Sequence, residues 1–108
     1  MVSQKKNLSR ARLYLVLDRQ VAGYESLFEI LRQAVPAGVD IVQLRDKYGS
    51  AKEISAFARL ALRWLRGCVP FIINDRVDVA RLAGADGVHL GQDDVPLTFA
   101  RKMLGGRA

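Results

Sequence analysis

Arg45 and Lys47 stand two residues apart, and a planar guanidinium fork beside a compact ammonium suits the grip of a diphosphate. Farther along, the carboxylates Asp75 and Asp94 follow the apolar runs "FII" and "GVHL". Mg²⁺ takes one or two protein carboxylates and fills its remaining positions with phosphate oxygens and water. An anionic ligand bridged by metal would therefore bring these acids and bases to one place. For any single pair the competing reading is a rim salt bridge, which contributes little. Repetition argues against it, because four apolar runs end in polar groups: Asp18 and Arg19; Gln43, Arg45 and Lys47; Asn74 and Asp75; Gln92, Asp93 and Asp94.

Those groups meet only if the runs are parallel strands. "RLYLVLDR" has the length and branched content of a buried strand. From Tyr24 the positions Leu27, Ile30, Leu31 and Ala34 form one helical stripe, ended by Pro36 and Gly38. "VDIVQLRDK" is a second strand, whose alternation sends Ile41, Gln43 and Arg45 to one face and Val42 and Leu44 to the other. If that strand runs on to Lys47, the lysine shares the face of Arg45. "SAKE" is a capping box with Ser50 as N-cap, and the stripe Ile54, Phe57, Ala58, Ala61, Leu62, Leu65 runs to a stop at Gly67.

"VPFII" is a third strand. A short helix carries Val77, Ala80 and Leu82 to Gly84, and "GVHL" is a fourth strand. A last helix opens near Pro96 with Leu97, Ala100 and Leu104 inward. This βαβαβαβα order predicts an α/β fold of parallel βαβ units with right-handed crossovers, open or barrel-forming, with every strand's carboxyl end on one edge. Such edges carry the chemistry of these folds. A dinucleotide site would show G-x-G-x-x-G after the first strand, where "LDRQVAGYE" has only Gly23.

Length and composition set the outer limits. The 108 residues suffice for one small core, and half of them are apolar. Lysine and arginine outnumber the acids 17 to 11, but they are dispersed, and Arg59, Arg63 and Arg66 read as the solvated side of a helix. No nucleic-acid partner is expected. "LYLVL" is too short for a signal core or a membrane span. Cys68, the one cysteine, excludes an intrachain disulfide and two-cysteine zinc or redox motifs, fits a reducing cytoplasm and reads as a small buried hydrophobe. Trp64, near the edge of its helix's stripe, reads as packing or interface. His89, between Gly87 and Gly91, reads as a packed interior histidine without a nucleophile or zinc partner, on a strand too short to carry it to the rim.

"QLRDK" at 43–47, "FIINDRVDVA" at 71–80 and "ADGVHLGQDD" at 85–94, in this order and spacing, closely resemble the thiamine phosphate synthase family. The similarity runs from about Leu13 to the end. The resemblance implies a (β/α)₈ TIM barrel, of which this chain holds the N-terminal half, about four β/α units over 12–108 behind a mobile basic leader at 1–11. It implies the Mg²⁺-dependent condensation of hydroxymethylpyrimidine diphosphate with thiazole phosphate, giving thiamine phosphate and pyrophosphate. Carried over residue by residue, Gln43 hydrogen-bonds the pyrimidine, Arg45, Lys47 and Asn74 hold the diphosphate, and Asp75 and Asp94 bind magnesium. Asp93 falls on a variable acidic position.

A whole barrel needs roughly 200 residues or more. The family's later elements, including most of the thiazole phosphate site, are absent from the sequence, so a truncated or split form is expected, inactive alone. Open sheet edges and an uncovered apolar face make self-association or a complementary C-terminal half the expected partner. Two rivals remain: a thiazole tautomerase-like relative, disfavoured by the intact "GQDD" with Asp75, and a non-catalytic basic interaction module, recommended by net charge alone.

Overall fold

The computed structural model describes residues 10–91, 94 and 96–106. Eight elements alternate: β1 (Tyr14–Asp18), α1 (Tyr24–Ala34), β2 (Ile41–Arg45), α2 (Ala51–Leu65), β3 (Phe71–Asn74), α3 (Val77–Ala83), β4 (Gly87–His89) and α4 (Leu97–Leu104). The strands form one parallel sheet in the order β1-β2-β3-β4. No strand crosses over another, so the order never reverses as it does in a doubly wound sheet. Of the expected leader, residues 1–9 lie outside the described residues.

Alternation divides the sheet into two unlike faces. Leu17, Val42, Leu44, Phe71 and Ile73 point to one side and join Leu27 and Leu31 of α1, Ile54, Phe57, Ala58, Ala61 and Leu65 of α2, and Val79 and Ala80 of α3 in a single core. The other side carries Tyr14, Val16 and Asp18, then Ile41, Gln43 and Arg45, then Ile72 and Asn74, then His89. Among the described residues no helix joins this side to the core: Tyr14 is 44 % and Val16 45 % exposed, although Ile41 and Gln43 are buried. A parallel sheet usually buries both faces, whereas the second face of this one is exposed at Tyr14 and Val16.

Local chemistry explains the boundaries. Ser50 caps α2 as expected, its Oγ accepting the Glu53 amide at 3.1 Å and donating to Glu53 Oε1 at 3.0 Å. α2 closes through Arg66 and Gly67, both in the left-handed region. Cys68 sits in the turn just beyond and is exposed; Val69 and Pro70 are the residues buried there, which corrects its reading as a packed hydrophobe. Three other expected core positions also face outward. Ile30, Leu82 and Leu97 lie at the margins of helices whose inner stripes are filled by Leu27 and Leu31, by Val77, Val79 and Ala80, and by Ala100. Trp64 packs edge-on to Phe28 at 6.1 Å, which supports its packing role. Among the described residues no helix is long and apolar enough to cross a membrane.

Candidate active site

The acids of the two sheet edges have different partners. At the amino ends of the strands, Asp40 Oδ2 accepts the amides of Arg12 and Leu13 at 2.8 and 3.0 Å, and Asp86 Oδ2 accepts that of Phe71 at 2.8 Å. These carboxylates tie strand entrances to neighbouring loops. At the carboxyl ends, the carboxyl groups of Asp75 and Asp94 come close enough to hydrogen-bond when one of them holds a proton. That contact, with burial and the negative charge of Asp94 adding to it, holds the Asp75 carboxyl above the usual carboxylate range. The same contact, the Gly91 amide at 2.6 Å and the charges of His89 and Lys47 hold Asp94 below it.

Asp75 is placed by a tight turn. Its amide donates to the His89 carbonyl at 2.8 Å, linking β3 to the end of β4, and the Arg76 amide turns back to the Asn74 carbonyl at 2.7 Å. The turn requires φ of 70° at Asp75, a left-handed conformation that aspartate tolerates better than most side chains. Backbone strain of this kind concentrates at functional sites. Beside it Asn74 Oδ1 lies 3.3 Å from His89 Nδ1. His89 is therefore exposed at the rim rather than packed inside, because the last residue of β4 stands opposite Asn74 on the uncovered face.

The basic residues arrive from β2. Arg45, its last residue, donates from Nη1 to Asp18 Oδ2 at 3.0 Å and to Gln20 Oε1 at 3.5 Å. Both bonds use one nitrogen of a fork with five N–H donors. Because β2 ends at Arg45, Lys47 lies in the following loop and does not share the strand face; its positive charge acts on Asp94. Gln43, 6 % exposed, occupies the uncovered face one alternation deeper and donates from Nε2 to the Tyr14 hydroxyl at 2.6 Å. Asp93 and Gln92 lie outside the described residues.

Two contributors were not apparent from the motifs. One is Tyr14. The other is Asp46, 8 % exposed, which anchors the loop that carries Lys47. Its Oδ1 accepts the amides of Tyr48 and Gly49 at 3.2 and 2.9 Å, and its Oδ2 accepts the Tyr24 hydroxyl. Burial, and then this bond to Asp46, push the Tyr24 phenol well above its ordinary range. The Tyr24 ring stacks on Phe57 at 4.8 Å, with the Arg19 guanidinium 5.2 Å above it. "DKYG" itself carried the signal, an aspartate ahead of a glycine that closes an Asx-type turn. A cleft of about 490 Å³ opens here, lined by Arg19, Gln20, Asp46, Tyr48, Gly49 and Glu53.

Next to the rim, Arg76 grips Asp78 through Nε and Nη2 at 3.1 and 3.0 Å, holding that carboxyl below its ordinary value of 3.8. A pKa lowered by folding contributes stability that is fully present above the unfolded value and is lost as pH falls through the folded one. Asp78→Asn should therefore lower stability near pH 7 by a few tenths of a kcal/mol, since the pair is largely exposed. The difference from wild type in denaturant midpoint should shrink as pH drops below about 3.8; a difference independent of pH would contradict this.

Among the described residues no three His, Cys, Asp or Glu side chains cluster as a metal cage. A two-carboxylate pair is nonetheless the donor set from which Mg²⁺ is held when phosphate oxygens complete its shell. Hard oxygen donors pressed together despite like charge fit such an ion, and nearby Lys47 suits the anion it would bring.

Comparison with known proteins agrees with the motifs. A sequence model of the thiamine monophosphate synthase family matches residues 13–108. The chain is 49 % identical over 94 residues to the thiamine-phosphate synthase of Syntrophomonas wolfei subsp. wolfei, covering 86 % of this chain and 45 % of that protein. It is 48 % identical over 94 residues to that of Azorhizobium caulinodans, covering 86 % and 44 %. The thiamine phosphate pyrophosphorylase of Pyrococcus furiosus superposes with a TM-score of 0.74 at 32 % identity, over 86 % of this chain and 45 % of that one. The chain thus spans somewhat less than half the length of these relatives. With three motifs in register and a family match from Leu13 onward, it belongs to the thiamine monophosphate synthase family.

Proposed function

We propose that these residues form the pyrimidine-diphosphate side of a Mg²⁺-dependent thiamine phosphate synthase, within the N-terminal half of a (β/α)₈ barrel. The observation that carries this reading is the meeting of Asp75 and Asp94 beside Lys47 at the carboxyl edge of the sheet. Arg45, Lys47 and Asn74 bind the diphosphate oxygens, and Gln43 holds the pyrimidine on the uncovered face. Asp75 and Asp94 hold the magnesium, which when bound supplies positive charge to the leaving diphosphate. The fixed cations of Arg45 and Lys47 favour the same charge as it gathers on the departing oxygens. The bond from the pyrimidine's methylene carbon to oxygen breaks with its electron pair going to pyrophosphate, and the thiazole nitrogen bonds to that carbon. The chain's part is orientation and charge, and the reaction needs no protein nucleophile.

The uncovered face is where a complementary C-terminal half, or a second copy, would sit and bring the thiazole phosphate site. The 108 residues alone should bind without turning over. In calorimetry, hydroxymethylpyrimidine diphosphate should bind the purified chain measurably with Mg²⁺ and far more weakly in EDTA, while no thiamine phosphate forms on addition of thiazole phosphate. Binding indifferent to Mg²⁺ would remove the metal assignment. Robust turnover would remove the proposed need for a partner.

A further inference from the structure

We propose that Asp18 is a positioning residue: it pins one nitrogen of the Arg45 guanidinium, so that the other edge of the fork is presented to the diphosphate. This rests on the reading of Arg45 as a diphosphate-binding residue. The sheet brings the two side chains together, because Asp18 ends β1 directly across the register from Arg45, which ends β2. Asp18 Oδ2 accepts from Arg45 Nη1 at 3.0 Å, and the Gln20 side-chain oxygen accepts from the same nitrogen at 3.5 Å. Asp18 is itself held in place. Its Oδ1 accepts the Gln20 amide at 2.9 Å, and its carbonyl accepts the amides of Val21 and Ala22 at 3.0 and 3.3 Å.

A guanidinium matches a phosphate along an edge where two N–H groups run parallel. With Nη1 committed to Asp18 and Gln20, the donors of Nε and Nη2, which share such an edge, have no partner among the described residues. Arg76 divides its donors in the same way: Nη1 points to the Gly49 carbonyl at 3.4 Å, while Nε and Nη2 grip the Asp78 carboxylate at 3.1 and 3.0 Å. Charge alone argues against an acid beside Arg45, since a carboxylate there repels the anion that the arginine attracts. Stability does not account for it either, because an ion pair whose side chains are 29 % and 24 % exposed contributes little. Orientation of the fork accounts for both the acid and its restraint.

Asparagine at this position separates positioning from a local structural role. Its one oxygen can still close the turn onto the Gln20 amide, as asparagine does readily, but its amide nitrogen then meets Arg45 donor against donor. Calorimetry of the whole chain with Mg²⁺ and inorganic pyrophosphate compares wild type, Asp18→Asn, Arg45→Met and the double variant. Asp18→Asn should bind about tenfold more weakly than wild type, although it removes a negative charge from the rim. In the Arg45→Met background the same substitution should weaken binding no further. Unchanged or tighter binding by Asp18→Asn, with Arg45→Met weakened, overturns the proposal and leaves the Arg45 reading intact. An equal loss from Asp18→Asn in both backgrounds does the same. Arg45→Met binding pyrophosphate as wild type does removes the Arg45 reading, and the proposal with it. A second readout needs neither a variant nor a ligand: nitrogen NMR of wild type should resolve Nη1 and Nη2 of Arg45 as separate signals, because a pinned guanidinium rotates slowly. One averaged signal would also sink the proposal.

Discussion

Asp46→Ala is expected to destabilise the chain by about 3 kcal/mol, because it removes a charged acceptor shared by three donors, and hydrogen bonds to charged groups contribute about 1.5–3 kcal/mol each before partial re-solvation. Two of the donors, the amides of Tyr48 and Gly49, shape the loop between β2 and α2; the third, the Tyr24 hydroxyl, ties that loop to the start of α1. The loss thus reaches both helices that pack on the first two strands. Asp46→Asn keeps an oxygen for the turn amides and should lose less than half as much. Gly49→Ala should be damaging from the other direction, since a Cβ there would run into the Asp46 carboxylate. The functional consequence follows from Lys47, which lies inside this loop beside Asp94. Asp46→Ala should therefore weaken Mg²⁺-dependent diphosphate binding even at temperatures where the variant stays folded. Urea unfolding of the three variants measures the first claim, and a loss under 1 kcal/mol for Asp46→Ala would contradict it.

Asp46 also marks the limit of what the sequence discloses. The helical stripes, the Ser50 cap and the strand-ending polar clusters were legible because periodicity and capping are local, and α2 follows its expected stripe from Ile54 to Leu65. The approach of Asp75 to Asp94 was legible at one remove, through the rule that parallel strands share a carboxyl edge. What stayed hidden depended on which face of the sheet is covered. His89 looked interior because its neighbours are small and apolar, yet it stands on the face without helices and so reaches the rim. Lys47 looked like a strand residue because alternation says nothing about where a strand stops; the Asx turn of Asp46 ends β2 two residues earlier. Tyr14 drew no notice because its bond to Gln43 spans 29 positions and no local pattern announces it.

Asp75→Asn should abolish the magnesium dependence of diphosphate binding and at the same time make the metal-free chain more resistant to urea. The two effects share one cause. Asp75 sits in a left-handed turn, in contact with a second carboxylate, an arrangement that a fold selected for stability alone would avoid. Asparagine accepts the same backbone conformation and can still hydrogen-bond Asp94, but it brings no like charge. It also offers Mg²⁺ a neutral oxygen in place of an anionic one. The wild-type ratio of affinities with and without Mg²⁺ should exceed about tenfold, equivalent to 1.4 kcal/mol, and should fall to about one in the variant. Asp78→Asn is the control: it removes the same charge three residues away, where the carboxylate is paired with Arg76. That variant should lose stability and keep its magnesium dependence. If Asp75→Asn instead destabilises the chain while binding remains magnesium-dependent, the Asp75 carboxylate serves the fold, and the candidate site must be sought elsewhere on the rim.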